Sequence, residues 1–175
     1  MKKTNQYLSL LLALVCLFSL SLTSMMLLCA LCACSSSDDD EQRDMTQPQI
    51  SSSGGVVPCP LDCQQFRRGS TLSFCYVFTD DTELGSYNIE VHNNFDHHTH
   101  STSSVECEMD ASKKPVKPWI FNQDYTIPSG QRNYTARINI PIPADIDTGD
   151  YHFMIRLTDR AGWQQLKGIA VKVVE

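Results

Sequence analysis

Four of the five histidines in this chain lie within nine residues, and the fifth follows in a separate segment rich in aromatic residues. They are His92, His97, His98, His100 and His152. Imidazole is the commonest protein ligand for transition metals. Because five histidines placed at random would scatter along the chain, this clustering predicts a metal site. The metal could be zinc, copper, nickel or iron, since imidazole ligands alone do not choose among these metals.

Three acidic residues accompany the histidines, namely Glu90, Asp96 and Asp150. A carboxylate can accept a hydrogen bond from the second nitrogen of a metal-binding imidazole, or can supply an oxygen ligand itself. We therefore expect these residues to orient the histidines or to join them as ligands. Two alternatives stay open: part of the cluster could have only a hydrogen-bonding role, or the segment could be an ordinary solvated loop around a buried Phe95.

The elements that must position the histidines are predicted to be β-strands. Five segments alternate strictly between apolar and polar residues, and clusters of Gly, Pro and Asp separate them, which is typical of strands. These segments are 71–79, 86–92, 132–140, 151–157 and 167–174. The stretch 118–127 is ambiguous and is expected to supply no more than one short edge strand. Ile50 could begin a first strand.

Two short motifs narrow the architecture to a sandwich. Asp147-Thr-Gly149-Asp-Tyr151-His-Phe153 resembles the tyrosine corner that opens strand F of immunoglobulin-like domains. Leu157-Thr-Asp159-Arg-Ala161-Gly162 resembles the following turn in bacterial immunoglobulin-like and cadherin-like modules. We predict an all-β, immunoglobulin-like or cadherin-like sandwich of about seven strands.

This fold brings the histidines together. If 86–92 is strand C and 151–157 is strand F, the two are antiparallel neighbours, with His92 at the end of one and His152 at the start of the other. Both residues stand opposite the apolar positions of their strands, so they share a face, predicted to point outward with Met154. The loop 93–104 leaves from the same end and carries the other three histidines.

The N-terminus resembles a bacterial lipoprotein signal. Lys2 and Lys3 precede a long apolar run that ends in Leu31-Cys32-Ala33-Cys34, where Cys34 would be the lipidated residue. An uncleaved membrane anchor is the alternative. Serine and acidic residues at 35–41 resemble the surface-export signal of Bacteroidota lipoproteins. We predict a signal peptide at 1–33, a tether at 34–57, a domain at 58–175, and lipid anchoring in the outer membrane at the cell surface.

Charge and cysteines limit partners and compartment. Without Lys2 and Lys3 the chain has 12 basic residues against 20 acidic ones, a net charge of −8, so nucleic acid is an improbable partner. The domain holds Cys59, Cys63, Cys75 and Cys107, an even number that predicts two disulfides in an exported chain. Three connectivities are possible; we favour Cys63–Cys75 with Cys59–Cys107. A metal half-site at Cys59 and Cys63 is a weaker alternative.

The histidine segment is similar to that of a family of Bacteroidota lipoproteins known as domain of unknown function 4625. The residues that carry the resemblance are 89–101, 140–143, 149–153 and 159–162. The resemblance spans essentially the whole domain after the tether. It implies a small lipid-anchored β-sandwich at the cell envelope and supplies no activity.

The predicted function is a surface-anchored binding module that holds a transition metal, or a metal-containing ligand, at one end of the sandwich. Its partners would be the membrane, through the lipid, and an outer-membrane importer or another lipoprotein. The alternative is an adhesion module for protein or glycan, with Trp119, Tyr125 and Trp163 as an aromatic platform. An enzyme is not predicted, because the chain lacks the His-x-His-x-Asp-His, Gly-x-Ser-x-Gly and Walker motifs.

Overall fold

Eight β-strands form in the residues that the computed structural model describes, which are 43–51, 55–99, 102 and 105–175. In chain order they are β1 (Gln49–Ser51), β2 (Gln64–Arg67), β3 (Thr71–Thr79), β4 (Leu84–Asn93), β5 (Phe121–Thr126), β6 (Asn133–Pro141), β7 (Gly149–Asp159) and β8 (Gln164–Val174). The prediction of an all-β fold is confirmed.

The strands form two sheets that pack face to face. One sheet has the order β1-β3-β6, and the other has the order β2-β8-β7-β4-β5. Neighbouring strands are antiparallel except for β2, which runs parallel to β8. This is the strand order of an immunoglobulin-like sandwich, with β4 and β7 in the places of strands C and F.

The core lies between the sheets and is formed by the alternate apolar residues of each strand. On β3 these are Leu72, Phe74, Tyr76 and Phe78, none more than 1% exposed. They face the inward residues of β7, so that the rings of Phe74 and Phe153 stack with centroids 5.8 Å apart. Such period-two burial is what one face of each sheet contributes to a sandwich.

The predicted tyrosine corner is present at the start of β7. The hydroxyl of Tyr151 donates to the carbonyl oxygen of Asp147 at 2.6 Å and accepts the backbone N–H of Trp119 at 3.1 Å. Tyr151 is 1% exposed. The corner therefore fixes the end of β7 from which His152 projects.

All five predicted strands occur, each within three residues of its predicted bounds at either end. The ambiguous stretch supplies β5, an edge strand beside β4. Ile50 lies in β1, which pairs with β3, so part of the predicted tether belongs to the sandwich. The described residues from Arg43 onward form one compact unit. The four-residue strand β2 was not predicted, since it is too short for its pattern to stand out.

The outer face of the larger sheet is covered where the sequence predicted exposure. His152 and Met154 stand on that face as predicted, but they are only 2% and 7% exposed. The connection between β4 and β5 covers His152, whose ring donates a hydrogen bond to the carbonyl oxygen of His98. Alternation along one strand cannot reveal such a cover, because it belongs to another part of the chain.

The disulfide pairing that we favoured is wrong. Cys63 is bonded to Cys107, which attaches the connection between β4 and β5 to the residue before β2. Cys59 and Cys75 are free thiols, although their backbones exchange two hydrogen bonds of 3.0 Å as an antiparallel pair. Spacing along the sequence does not determine connectivity, because the pairing depends on how the long connection folds back.

The predicted signal peptide and the lipidation site Cys34 lie outside the described residues. The residues that the structure describes contain no helix with the length and apolar character of a membrane span.

Candidate metal centre

His92 and His152 are directly opposed across the β4–β7 ladder, as their predicted strands require. The register pairs His92 with His152 and Glu90 with Met154. Directly opposed residues on one sheet face bring their Cβ atoms to about 5 Å. The two imidazole rings have centroids 5.4 Å apart.

His98 completes a group of three rings. Its centroid lies 5.5 Å from that of His92 and 5.1 Å from that of His152. The plane of the His98 ring is nearly parallel to that of His92, with an interplanar angle of 15°, and is inclined at 64° to that of His152. A loop residue has thus been brought against the two strand residues. We call His92, His98 and His152 the histidine triad.

One nitrogen of each triad ring is held by an oxygen. Nδ1 of His92 lies 3.0 Å from Oε1 of Glu90, and Nδ1 of His98 lies 2.5 Å from Oδ1 of Asp96. Nε2 of His152 lies 3.0 Å from the carbonyl oxygen of His98. Such bonds fix the ring orientation and tautomer, as they do around metal-bound histidines. Glu90 and Asp96 therefore each lie against one ring of the triad.

The triad lies partly below the surface. The side chains of His92 and His98 are 23% and 33% exposed, whereas His152 is almost fully buried. The hydrogen bond from His98 lowers the pKa of the Asp96 carboxyl below its usual range. The pair is therefore held with its carboxylate ionised, which suits an orienting role for Asp96.

His97 makes its contacts elsewhere. Its backbone has a positive φ of 61°, and its ring bonds the carbonyl oxygen of Asp110 at 2.9 Å and the hydroxyl of Ser112 at 3.2 Å. Consecutive loop residues thus point in different directions, and His97 anchors the loop to residues 110–112. The prediction for His100 falls outside the described residues.

Asp150 binds groups other than the triad histidines. Its Oδ2 accepts the backbone N–H of Asp110 at 2.8 Å, and its Oδ1 lies 3.4 Å from Nζ of Lys172. The hydrogen bond to Asp110, together with the charge of Asp150, raises the pKa of Lys172. Lys172 and Asp110 were not predicted, because no motif marks them. They fasten the covering connection to β8.

A cavity of about 720 Å³ opens beside the triad. Its lining includes His98, His152, Met109, Asp150 and Lys172. This volume lies in the range of small-molecule sites. A ligand larger than a bare ion could therefore lie next to the triad rings.

The chemistry available to this arrangement is metal ligation. Two imidazoles bound to one tetrahedral zinc at about 2.0–2.1 Å have ring centres roughly 5 Å apart, which is close to the triad spacings.

The aromatic platform of the alternative function does not form. Trp119 is 2% exposed and packs in the core against Tyr151. Tyr125 stacks on Tyr87 within the larger sheet, with centroids 4.9 Å apart. Trp163 is 37% exposed and donates its indole N–H to the carbonyl oxygen of Asp44. Trp119 and Tyr125 therefore pack within the domain, whereas Trp163 stands at the surface.

The comparisons with known proteins give a family without an assigned activity. No curated protein matches the chain. The family model described as Domain of unknown function (DUF4625) matches residues 32–174, which is most of the chain and includes all five histidines. The match agrees with the resemblance that the histidine segment showed. The chain belongs to the DUF4625 family.

Proposed function

We propose that this domain is a binding module that holds a transition metal, or a metal-containing ligand, through the histidine triad. The observation that supports it is the packing of three imidazoles from two strands and a loop, with centroids 5.1–5.5 Å apart. His100 is a further candidate ligand from the same loop. His97 is not included, because its ring bonds Asp110 and Ser112.

The supporting bonds favour a ligand role over a merely structural one. Glu90 and Asp96 each lie two residues from the triad member that they bond, so ring and carboxylate are positioned together. A carboxylate on the far nitrogen makes an imidazole a better metal ligand. Structural packing alone would not require an acid behind two of the three rings.

The neighbouring cavity leaves room for a ligand beside a metal held by the triad. Three imidazoles would leave at least one coordination position open to solvent or to a ligand in the cavity. A chelated metal or a metal-bearing cofactor would fit this volume. Zinc, copper, nickel and iron all remain candidates, since nitrogen ligands suit each of them.

We further propose that the module acts at the cell surface. This part of the proposal comes from the N-terminal sequence: the lipobox at Cys34 would anchor the chain, and the acidic run at 35–41 would route it to the outer leaflet. A receptor for metal there would pass its cargo to an outer-membrane importer or to another lipoprotein.

The test is metal binding by purified, untagged full-length protein. We expect tight 1:1 binding of zinc or copper by isothermal titration calorimetry, with metal retained through gel filtration. His98→Ala removes one ring yet keeps the carbonyl oxygen that His152 bonds, so the fold should persist. We expect affinity to fall at least tenfold in this variant.

His97→Asn is the matched control, because Asn also tolerates a positive φ. It should bind metal like the original protein. The proposal fails if no metal binds the original protein more tightly than it binds His98→Ala, or if His97→Asn loses as much affinity as His98→Ala.

A further inference from the structure

Three aspartates converge at the end of the sandwich remote from the histidine triad. Asp44 precedes β1, Asp80 follows β3, and Asp159 ends β7. Each offers one carboxylate oxygen, and the three oxygens lie within 4.8 Å of one another. The register pairs Asp159 with Leu84, eight residues from His92 along β4, so this group is separate from the triad. We call it the aspartate triad.

Backbone amides hold one oxygen of each aspartate. The donors to Oδ1 are the N–H groups of Thr46 for Asp44, of Thr82 and Glu83 for Asp80, and of Gly162 and Trp163 for Asp159, at 2.6–2.9 Å. These bonds fix the orientation of all three carboxylate groups. None of the three side chains is therefore an adaptable surface acid.

The other oxygen of each aspartate provides an independent indication of a ligand. In all three residues Oδ2 is buried and has no hydrogen-bond partner among the residues that the structure describes. Asp159 as a whole is only 4% exposed. A buried carboxylate oxygen without a donor or cation is costly, so such groups are normally paired or bound to a metal.

Nearby basic residues do not neutralise the group. Nε of Arg160 lies 3.2 Å from Oε1 of Glu83, and Nε of Arg132 donates to the carbonyl oxygen of Thr82. Within the described ranges no lysine or arginine forms an ion pair with the three aspartates. Burial raises the pKa of Asp159, and the charges of Asp80 and Asp44 raise it further. The three carboxylates therefore repel one another, and a cation bound between them would compensate their negative charge.

We propose that the aspartate triad is a binding site for Ca²⁺, with Oδ2 of Asp44, Asp80 and Asp159 as ligands. The donors are oxygens only, which selects a hard cation over a transition metal. Ca²⁺ accepts oxygen ligands at about 2.3–2.6 Å in flexible geometry, which suits carboxylates already fixed by the backbone, whereas Mg²⁺ demands a near-ideal octahedron at about 2.0–2.1 Å. Water would complete the coordination.

The site would tie the segment before β1 to the sandwich. Asp44 is distant in sequence from the other two ligands, and Trp163 already bonds its carbonyl oxygen at 2.9 Å. Bound Ca²⁺ would replace repulsion between the segment and the ends of β3 and β7 with attraction. It would thereby determine where the folded domain begins.

The first test is thermal unfolding of the purified full-length protein with CaCl₂ or with a chelator. We expect Tm to rise by several degrees in about 10 mM Ca²⁺, since sites of this kind in extracellular modules bind at roughly 10⁻⁴–10⁻³ M. Asp159→Asn should lose this rise. In chelator it should melt no lower than the original protein, because the amide still accepts the two N–H groups and removes a repelling charge.

Asp81→Asn is the matched control, since Asp81 adjoins the aspartate triad but is exposed and accepts a bond from Thr46. It should keep the full rise in Tm. Asp80→Asn should lose the rise, which keeps the test valid if Asp159→Asn folds poorly.

The second test locates the ion. Tb³⁺ is a luminescent substitute for Ca²⁺, and the indole of Trp163 lies beside Asp44. Excitation of tryptophan should give Tb³⁺ emission that excess Ca²⁺ removes and that Trp163→Phe largely abolishes.

The proposal is overturned if Ca²⁺ leaves the Tm of the original protein unchanged, or if Asp80→Asn and Asp159→Asn respond like the original. A rise with Mg²⁺ and none with Ca²⁺ would also overturn it, as would Tb³⁺ emission that survives in Asp159→Asn.

Discussion

Individual side chains at the histidine end are positioned by neighbours two residues away along the chain. Glu90 and His92 lie on one face of β4, because residues i and i+2 of a strand project to the same side. Their bond at 3.0 Å follows directly from that geometry. Asp96 and His98 repeat the spacing in the loop. The supporting acids could thus be predicted from the sequence.

The Glu90→Gln variant tests whether the negative charge of Glu90 supports His92 as a metal ligand. Glutamine keeps the size and can still accept a hydrogen bond from Nδ1 of His92, but it removes the charge that makes the ring a stronger ligand. We expect a loss of about tenfold to a hundredfold in metal affinity with an unchanged Tm of the metal-free protein. Competition against a chromophoric chelator measures this. Equal affinity would show that Glu90 does not support a ligand.

The choice between His97 and His98 could not be predicted from the sequence. It depends on the positive φ of His97, which turns one ring towards residues 110–112 and lets the next ring approach the strands. No pattern marks such a backbone conformation in a polar loop. The pairing of His92 with His152 was predictable, because it follows from strand identity and register alone.

At the scale of elements, the connection between β4 and β5 distinguishes this domain from a plain sandwich. It covers the outer face of β7, supplies His98 and lines the cavity. Period-two patterns predicted the strands because each strand has one apolar face in the core. They could not predict the connection, which is held by a disulfide, Lys172 and Asp147 rather than by apolar periodicity.

Removal of the Cys63–Cys107 bond should loosen this connection. The bond closes a segment with a sequence separation of 44, for which the loop-entropy model gives about 4 kcal/mol. We expect the double variant Cys63→Ser, Cys107→Ser to lose roughly 2–4 kcal/mol of unfolding free energy in urea, and to bind metal more weakly.

Cys59→Ser is the control for the disulfide experiment, since it removes a thiol without removing a cross-link. A double variant as stable as this control would contradict the anchoring role. Peptide mapping without reduction should recover Cys63 linked to Cys107.

At the scale of the whole molecule, stability at acid pH should depend on Asp147. Its Oδ2 accepts the N–H groups of Val116 and Lys117 at 2.7 and 2.8 Å, and these bonds lower its pKa below the ordinary 3.8. A carboxyl whose pKa is lowered by folding stabilises the fold above its ordinary pKa, and this contribution disappears as the pH falls through the lowered value.

The Asp147→Asn variant should therefore lose less unfolding free energy than the original protein as the pH is lowered. We expect the unfolding free energies of the original and variant proteins to differ most above about pH 5 and to converge towards about pH 2. Urea unfolding at a series of pH values measures this. A constant difference across the series would exclude the role of this carboxyl in acid sensitivity.

The pairing of β4 with β7 has a mechanical consequence. One continuous ladder, shifted only by a bulge near Gly85, runs from Leu84 and Asp159 to Asn93 and Tyr151, one pair beyond His92 and His152. The eight residues that separate Leu84 from His92 along β4 span roughly 25 Å of paired strand, which resists bending. Ions at its two tips would sit at a constant separation. Binding of an ion at the aspartate triad should therefore leave the metal affinity of the histidine triad unaltered, and the reverse should hold as well.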